Sequence, residues 1–258
     1  MSEAVIPASQ PKVFDFKRLF TFLLRPRQVF EHMTAAGRPA WLLPMLLLSL
    51  GVLLRVAVTG FLRGHAMALG QLNLPADWQF WSTDMQDKYM QGIQATQGHA
   101  FRYYIPAVTG LTGLWLGWPI MSGLLHLLST LLGGRGSQSA TLNVVAWANL
   151  PFFLRDVLRV VYMAIAGHEI ASSGLSGFIV NAQGASLFLA NLLKQTDLFF
   201  LWHMLLLVAG MVIFDSLTRG KAWLTVGIVL LLSLLAQAGA ATLLASMNGT
   251  IVSQPFLF

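Results

Sequence analysis

The 258-residue chain has no cysteine. Disulfides, thiolate nucleophiles and cysteine-ligated metals are therefore excluded. Charge is also scarce: Asp, Glu, Lys and Arg make up 10% of the residues, against about 25% in a soluble domain. That is too little polar surface to face water all round, which excludes an ordinary soluble domain. Acidic residues are the scarcer sign, 10 against 16 basic, for a net charge of +6. In a membrane protein such an excess marks the cytoplasmic face and its anionic phospholipids before it marks nucleic acid, so no nucleic-acid partner is expected. The first forty residues are charged and lack a compact apolar run ending in a small-residue cleavage site, so a cleavable signal peptide is not expected.

What the chain has in abundance is apolar length: 56% of its residues are hydrophobic. A spanning helix needs about 20 mostly apolar residues. Residues 103–134, 198–214 and 222–258 contain no Asp, Glu, Lys or Arg, and they predict helices over 104–132, 198–218 and 222–247. Two further spans carry interruptions. Residues 41–62 ("WLLPMLLLSLGVLLRVAVTGFL") contain Arg55, and 140–166 contain Arg155, Asp156 and Arg159. The expected fold is all-α and polytopic, with five transmembrane helices. The basic residues support this count. Lys12, Lys17, Arg18, Arg25, Arg27, Arg38, Arg135, Arg219 and Lys221 fall on one side of it; Arg63, Lys88, Arg102 and Lys194 share the other with Asp77, Asp84, Asp87, Glu169 and Asp197. The positive-inside rule then puts the N-terminus in the cytoplasm and, with five spans, the C-terminus outside.

The segment "VFDFKRLFTFLLRPRQVFEHM" is amphipathic. Phe16, Leu19, Phe20, Leu23 and Leu24 recur at near-helical spacing, and Lys17, Arg18, Arg25 and Arg27 form the basic side. Pro26 disfavours helix at the residue before it. The expectation is a pair of short helices on the inner membrane surface, in contact with anionic phospholipids. Residues 1–13 are read as a flexible leader, 14–36 as this amphipathic segment, 37–250 as the membrane domain and 251–258 as an outer tail. Residues 63–102, with Trp78, Phe80 and Trp81, make a long outer connection. Residues 167–197 make a second, ending in "ASLFLANLLKQ", which reads as a short interfacial helix.

Three stretches carry a resemblance. They are the basic-Pro-basic leader "LLRPRQVFEHM", the Trp-led first span "PAWLLPMLLLSL", and "LGGRGSQSATLNVVAWANLPFFL", a glycine-rich basic turn followed by the third span. Together with five spans they resemble bacterial members of the Yip-domain (Ypt-interacting-protein type) family, over residues 15–250. The resemblance implies a five-helix membrane domain without known catalysis, here in a bacterial inner membrane. Eukaryotic relatives are tied to small GTPases and vesicle traffic. This chain lacks their acidic, tyrosine-rich leader, so GTPase binding does not carry over. Some bacterial relatives accompany ABC-type export machines, which implies transporter subunits as partners.

No motif argues for catalysis. "GLSG" at 174–177 has the Gly-x-Ser-Gly form of a rhomboid protease, and His203 lies downstream. The residues after Ser176 are too short and polar to be the helix that chemistry needs, so a Gly/Ser turn is expected. None of the six histidines stands three or four residues from another, so no metal site is expected, and no cofactor. "GGRGSQS" lacks the Lys-Ser/Thr of a phosphate loop. Gly110, Gly113 and Gly117 form a small-residue face suited to helix packing. Pro44, Pro106, Pro119 and Pro151 are candidate kinks.

The intramembrane charges remain. Arg55 lies 14 residues beyond Trp41, and Arg155 lies 15 beyond Ala140. At 1.5 Å per residue both sit about 21 Å deep, in the outer half of the bilayer. Arg159 shares a face with Arg155, Asp156 can pair with Arg159 at i+3, and His203 comes to similar depth. Near the inner end Arg135, Arg219 or His126 could meet Asp215, with His126 and Asp215 the candidate polar pair. An arginine in mid-membrane costs at least ~2.5 kcal/mol, so the three arginines are expected to avoid lipid. Three readings stay open: an internal ion-pair network or snorkelling to the outer headgroups, a basic cavity for an anionic headgroup or substrate, or a contact with another membrane protein. The functional expectation is a non-catalytic accessory or scaffold supporting a membrane transport complex. The alternative is a small transporter or lipid-binding membrane protein that uses the basic cavity.

Overall fold

The computed structural model describes residues 16–36, 40–70, 74, 78–170, 172–179, 182 and 185–248. The leader 1–13 and the tail 251–258 lie outside the described residues. No strand occurs among the described residues, whose regular elements are all helices.

The amphipathic segment folds as α1 (Phe16–Leu24) and α2 (Pro26–Ala36). Pro26 opens α2, where its missing N–H costs nothing, and Arg25 is the non-helical joint. The pair does more than present an apolar face outward. Phe22, which falls outside the apolar pattern expected to meet lipid, is fully buried with Val29, Phe30 and Met33. The Phe22 ring packs edge-on against Phe30 at 5.2 Å and Trp147 at 5.1 Å, and Phe30 meets Phe214 at 5.8 Å. Phe20 and Leu24 remain exposed.

The long helices follow. α3 (Leu42–Ala68) runs past the expected end at residue 62 and takes in Arg63. α4 (Thr83–Ala95), N-capped by Ser82, orders the connection that follows α3. Trp78, Trp81 and Tyr89 cluster against one another there. A π-turn (Ala100–Tyr104) leads into α5 (Ile105–Leu131), which holds Pro119 in its interior.

The expected third span divides. α6 (Gln138–Ala148) and α7 (Leu150–Ala166) meet at Asn149, and Pro151 occupies the first turn of α7. Proline fits a first turn without loss, whereas in a helix interior it removes a hydrogen bond and favours a kink or break, so Pro151 makes this a natural point of restart. Over Val144–Ala148 α6 is almost wholly buried, between α5 and α9. After a short helix, α8 (Ala185–Leu193), comes α9 (Leu198–Phe214), which stops four residues before the expected boundary at 218. Asp215 caps it and Ser216 turns the chain at φ +54°. α10 (Arg219–Asn248) begins earlier than expected, so Arg219 and Lys221 belong to its first turn.

Among the described residues three helices are long and apolar enough to cross a membrane: α3, Ala100–Leu131, and α10 over Arg219–Ala245. The pair α8 and α9, bent by 65°, adds a fourth if taken as one span. Neither α6 nor α7 alone reaches spanning length.

Tryptophan N–H groups tie the bundle together. Trp115 donates to Ser49 Oγ at 3.1 Å, Trp118 to the Leu142 carbonyl at 2.9 Å and Trp147 to the Ala40 carbonyl at 2.9 Å. Asn143, one turn before Trp147, accepts from the Ala40 N–H at 2.8 Å. The spacing of four in "NVVAW" thus clasps both polar groups of one residue at the start of α3. Gly210 lets α9 close on Val144 of α6, and Gly60 and Gly64 of α3 receive the Tyr103 ring and the Arg102 guanidinium. The small-residue face of α5 behaves differently. Gly110 meets Val52, but a Cβ on Gly113 or Gly117 would find open space. Those two glycines do not make the packing expected of them within this chain.

Candidate functional site: a layer of ion pairs joining three helices

α3 and α7 pack closely because Gly51 leaves room for the Phe153 ring and the Asp156 side chain. One turn along α3, Arg55 Nε lies 3.6 Å from Asp156 Oδ1. Asp156 therefore pairs across helices with Arg55; the expected i+3 pairing with Arg159 is not formed. The Asp156 side chain is 9% exposed and that of Arg55 29%. The two paired atoms are buried and make no hydrogen bond to the described residues. The contact is electrostatic, beyond hydrogen-bond length.

Arg155 and Arg159 turn instead to Asp197. Their guanidinium nitrogens lie 3.4 and 3.6 Å from the same Oδ2. The other oxygen, Oδ1, accepts the Phe200 N–H at 2.9 Å and caps α9. One carboxylate thus caps a helix and holds two arginines of another. By sequence alone Asp197 is one of the acids of the expected outer connection. Its signal was its place immediately before the uncharged run 198–214, the position of an N-cap. Phe152, also unforeseen, lies under the Arg155 guanidinium at 4.6 Å and beside the His203 ring at 4.8 Å.

His203 reaches this level but stays out of the ion pairs. Its Nδ1 donates to the Ala148 carbonyl at 2.8 Å and the ring is buried. Further out, Arg63 holds Glu169 through two bonds of 2.7 and 3.1 Å, tying α3 to the segment after α7. The three arginines of the inner layer face two carboxylates, which leaves one positive charge over. Lys194, half-buried between α8 and α9, lies close enough to Arg159 to feel its charge. It has no carboxylate partner among the described residues.

At the other end, Asp215 is completely buried and accepts a hydrogen bond from the Ser129 hydroxyl. His126 lies near enough to act on it electrostatically. The two are not hydrogen-bonded as the expected pair, and His126 Nδ1 is buried without a partner among the described residues. The turns also interlock. Arg135 N–H donates to the Asp215 carbonyl at 3.0 Å, and Lys221 Nζ donates to the Leu132 carbonyl at 2.7 Å, a cation at the C-terminus of α5. Of the basic surface residues, Arg25 and Arg27 are exposed and Arg27 pairs with Glu31 at 3.1 Å. The side chains of Lys17 and Arg18 lie outside the described residues.

Ser176 sits in a short 3-10 helix and donates to the Ser173 carbonyl at 2.7 Å. No hydrogen bond among the described residues joins it to a histidine. No group of three His, Asp or Glu able to hold a metal occurs among the described residues.

A model of the Yip1 domain matches residues 20–241, from within α1 to most of the way along α10. The chain belongs to the Yip1 domain family. The match includes the α1–α2 pair, the Asn143–Trp147 clasp and every member of the ion-pair layer. No curated protein and no solved structure matches the chain. This Yip1 domain is a membrane protein of a family that is generally non-enzymatic.

Proposed function

We propose that this Yip1 domain is a non-catalytic scaffold in a bacterial inner membrane that supports the assembly or activity of a transport complex, an ABC-type exporter being the partner the family resemblance suggests. Family membership over residues 20–241 carries the reading. The surfaces agree with it. The polar groups of the ion-pair layer largely serve to bind α3, α7 and α9 to one another. Meanwhile α5 turns Leu116, Ile120, Leu127 and the open Gly113–Gly117 face outward, a surface on which a second helix can pack closely.

The proposed topology has five crossings: α3, α5, the broken α6–α7 pair, α9 and α10, with the N-terminus inside and the C-terminus outside. The interlocked turns at Arg135 and Lys221 support a common inner end, and the Arg63–Glu169 and Asp197 groups a common outer end. The α6–α7 pair connects the two.

The test is crosslinking in native membranes, followed by purification in mild detergent and mass spectrometry. The reading expects a stoichiometric membrane-protein partner, lost in Gly113→Leu or Gly117→Leu variants that still fold. A chain that purifies alone, with no crosslinked partner from native membranes, contradicts it.

A further inference from the structure

The outer end of α7 and the α8–α9 connection gather more positive charge than the described carboxylates pair with. Arg155 and Arg159 share a single oxygen of Asp197, which is itself committed to capping α9. Asp156 pairs with Arg55, and its charge also reaches Arg159. Lys194, three residues before Asp197 in the α8–α9 connection, adds another cation whose charge reaches Arg159, with no described carboxylate paired to it. Bringing like charges together outside bulk water is unfavourable unless an anion joins them. The Arg155 and Arg159 side chains are 21% and 20% exposed, so an anion can reach them. The Arg155 Nε is buried and donates to no described residue.

The surroundings identify the anion. Leu198, Leu201 and Leu205 form an exposed apolar stripe along α9 that begins one residue from Asp197, and Leu158 and Tyr162 are exposed on α7 beside Arg159. From Leu198 to Leu205 the stripe runs about 10 Å along the helix, so a charged site opening onto it matches a molecule with an anionic head and the upper part of hydrocarbon tails. Guanidinium groups suit phosphate, which accepts two N–H bonds from one arginine.

We propose that Arg159 and Lys194, with Arg155 behind them, form a binding site for the phosphate of an anionic phospholipid whose chains lie along the Leu198–Leu201–Leu205 face of α9. The proposal stands apart from the scaffold reading and needs no protein partner.

The experiment is native mass spectrometry of the full chain in detergent, titrated separately with phosphatidylglycerol, phosphatidylcholine, diacylglycerol and inorganic phosphate. The proposal expects phosphatidylglycerol to bind at least tenfold more tightly than the other three. It expects Arg159→Gln and Lys194→Gln each to weaken that binding about tenfold, Arg159→Lys to keep most of it, and Arg63→Gln, in the separate pair with Glu169, to leave it unchanged. Thermal unfolding checks that each variant is folded. If Arg159→Gln fails to fold, Lys194→Gln, in a connection between helices, carries the comparison. Unchanged phosphatidylglycerol binding in a folded Lys194→Gln overturns the site. Inorganic phosphate binding as tightly as the lipid overturns the lipid source. Loss of a protein partner with lipid binding intact bears on the scaffold reading alone.

Discussion

Asp197→Asn tests the ion-pair layer at its most loaded point. The native carboxylate has two arginine nitrogens at 3.4 and 3.6 Å. At an effective dielectric of about 20, each contact is worth roughly 5 kcal/mol before desolvation. Desolvation and the mutual repulsion of the arginines offset most of that. Breaking a buried pair by removing one partner typically costs about 3–5 kcal/mol. Here both arginines are about one-fifth exposed and partly hydrated, which places the expected loss near the low end, at about 2–3 kcal/mol. Asparagine caps a helix about as well as aspartate, so the Phe200 N–H bond survives and the loss reports the charge. Asp197→Ala should lose about 1 kcal/mol more, through the cap. The assay is reversible unfolding in mixed micelles, followed by tryptophan fluorescence, with both variants and the parent chain compared. An Asp197→Asn chain as stable as the parent would mean that the arginines do not depend on this carboxylate, and the reasoning would fail.

Three further substitutions separate contacts the fold uses from motifs it leaves open. Asn143→Ala removes one of the two bonds that clasp Ala40 and should cost about 1 kcal/mol. It should also speed exchange of the Ala40 amide, and unaltered exchange in hydrogen–deuterium mass spectrometry would refute the clasp. Gly210→Val places a side chain against Val144 and should destabilise the chain by about 1–3 kcal/mol through overpacking. Gly113→Val should leave the stability of the isolated chain within about 0.5 kcal/mol, and unfolding in detergent distinguishes the two.

Much of the architecture is legible in the residues, and the reasons for the rest are physical. The α1–α2 joint is written in Pro26, and the long helices in their uncharged runs. The burial of Phe22 is not, because an apolar face reads the same whether lipid or protein covers it. Gly113 and Gly117 match a packing motif, but α5 is apolar nearly all round, so nothing in its pattern says which side meets the bundle. Gly210, a single glycine without a motif, is where two helices close. The same limit governs the site. The sequence shows that Arg55, Arg155, Asp156 and Arg159 share a level, because depth follows from counting residues at a fixed rise. It does not show which acid serves which arginine. Helical spacing advertises the local Asp156–Arg159 pair, whereas Arg55 wins Asp156 because Gly51 draws α3 against α7. Asp197 is hidden by a double role, recognisable from sequence only as a cap.

The most direct test of the account is a pair of double-mutant cycles on unfolding free energy. One combines Arg55→Gln with Asp156→Asn; the other combines Arg159→Gln with Asp156→Asn. The structure predicts a coupling of about 1 kcal/mol or more for Arg55 with Asp156 and much less for Arg159 with Asp156. The reverse order would mean that Asp156 serves its own helix, and that α3 and α7 are not joined by the ion pair on which this account rests.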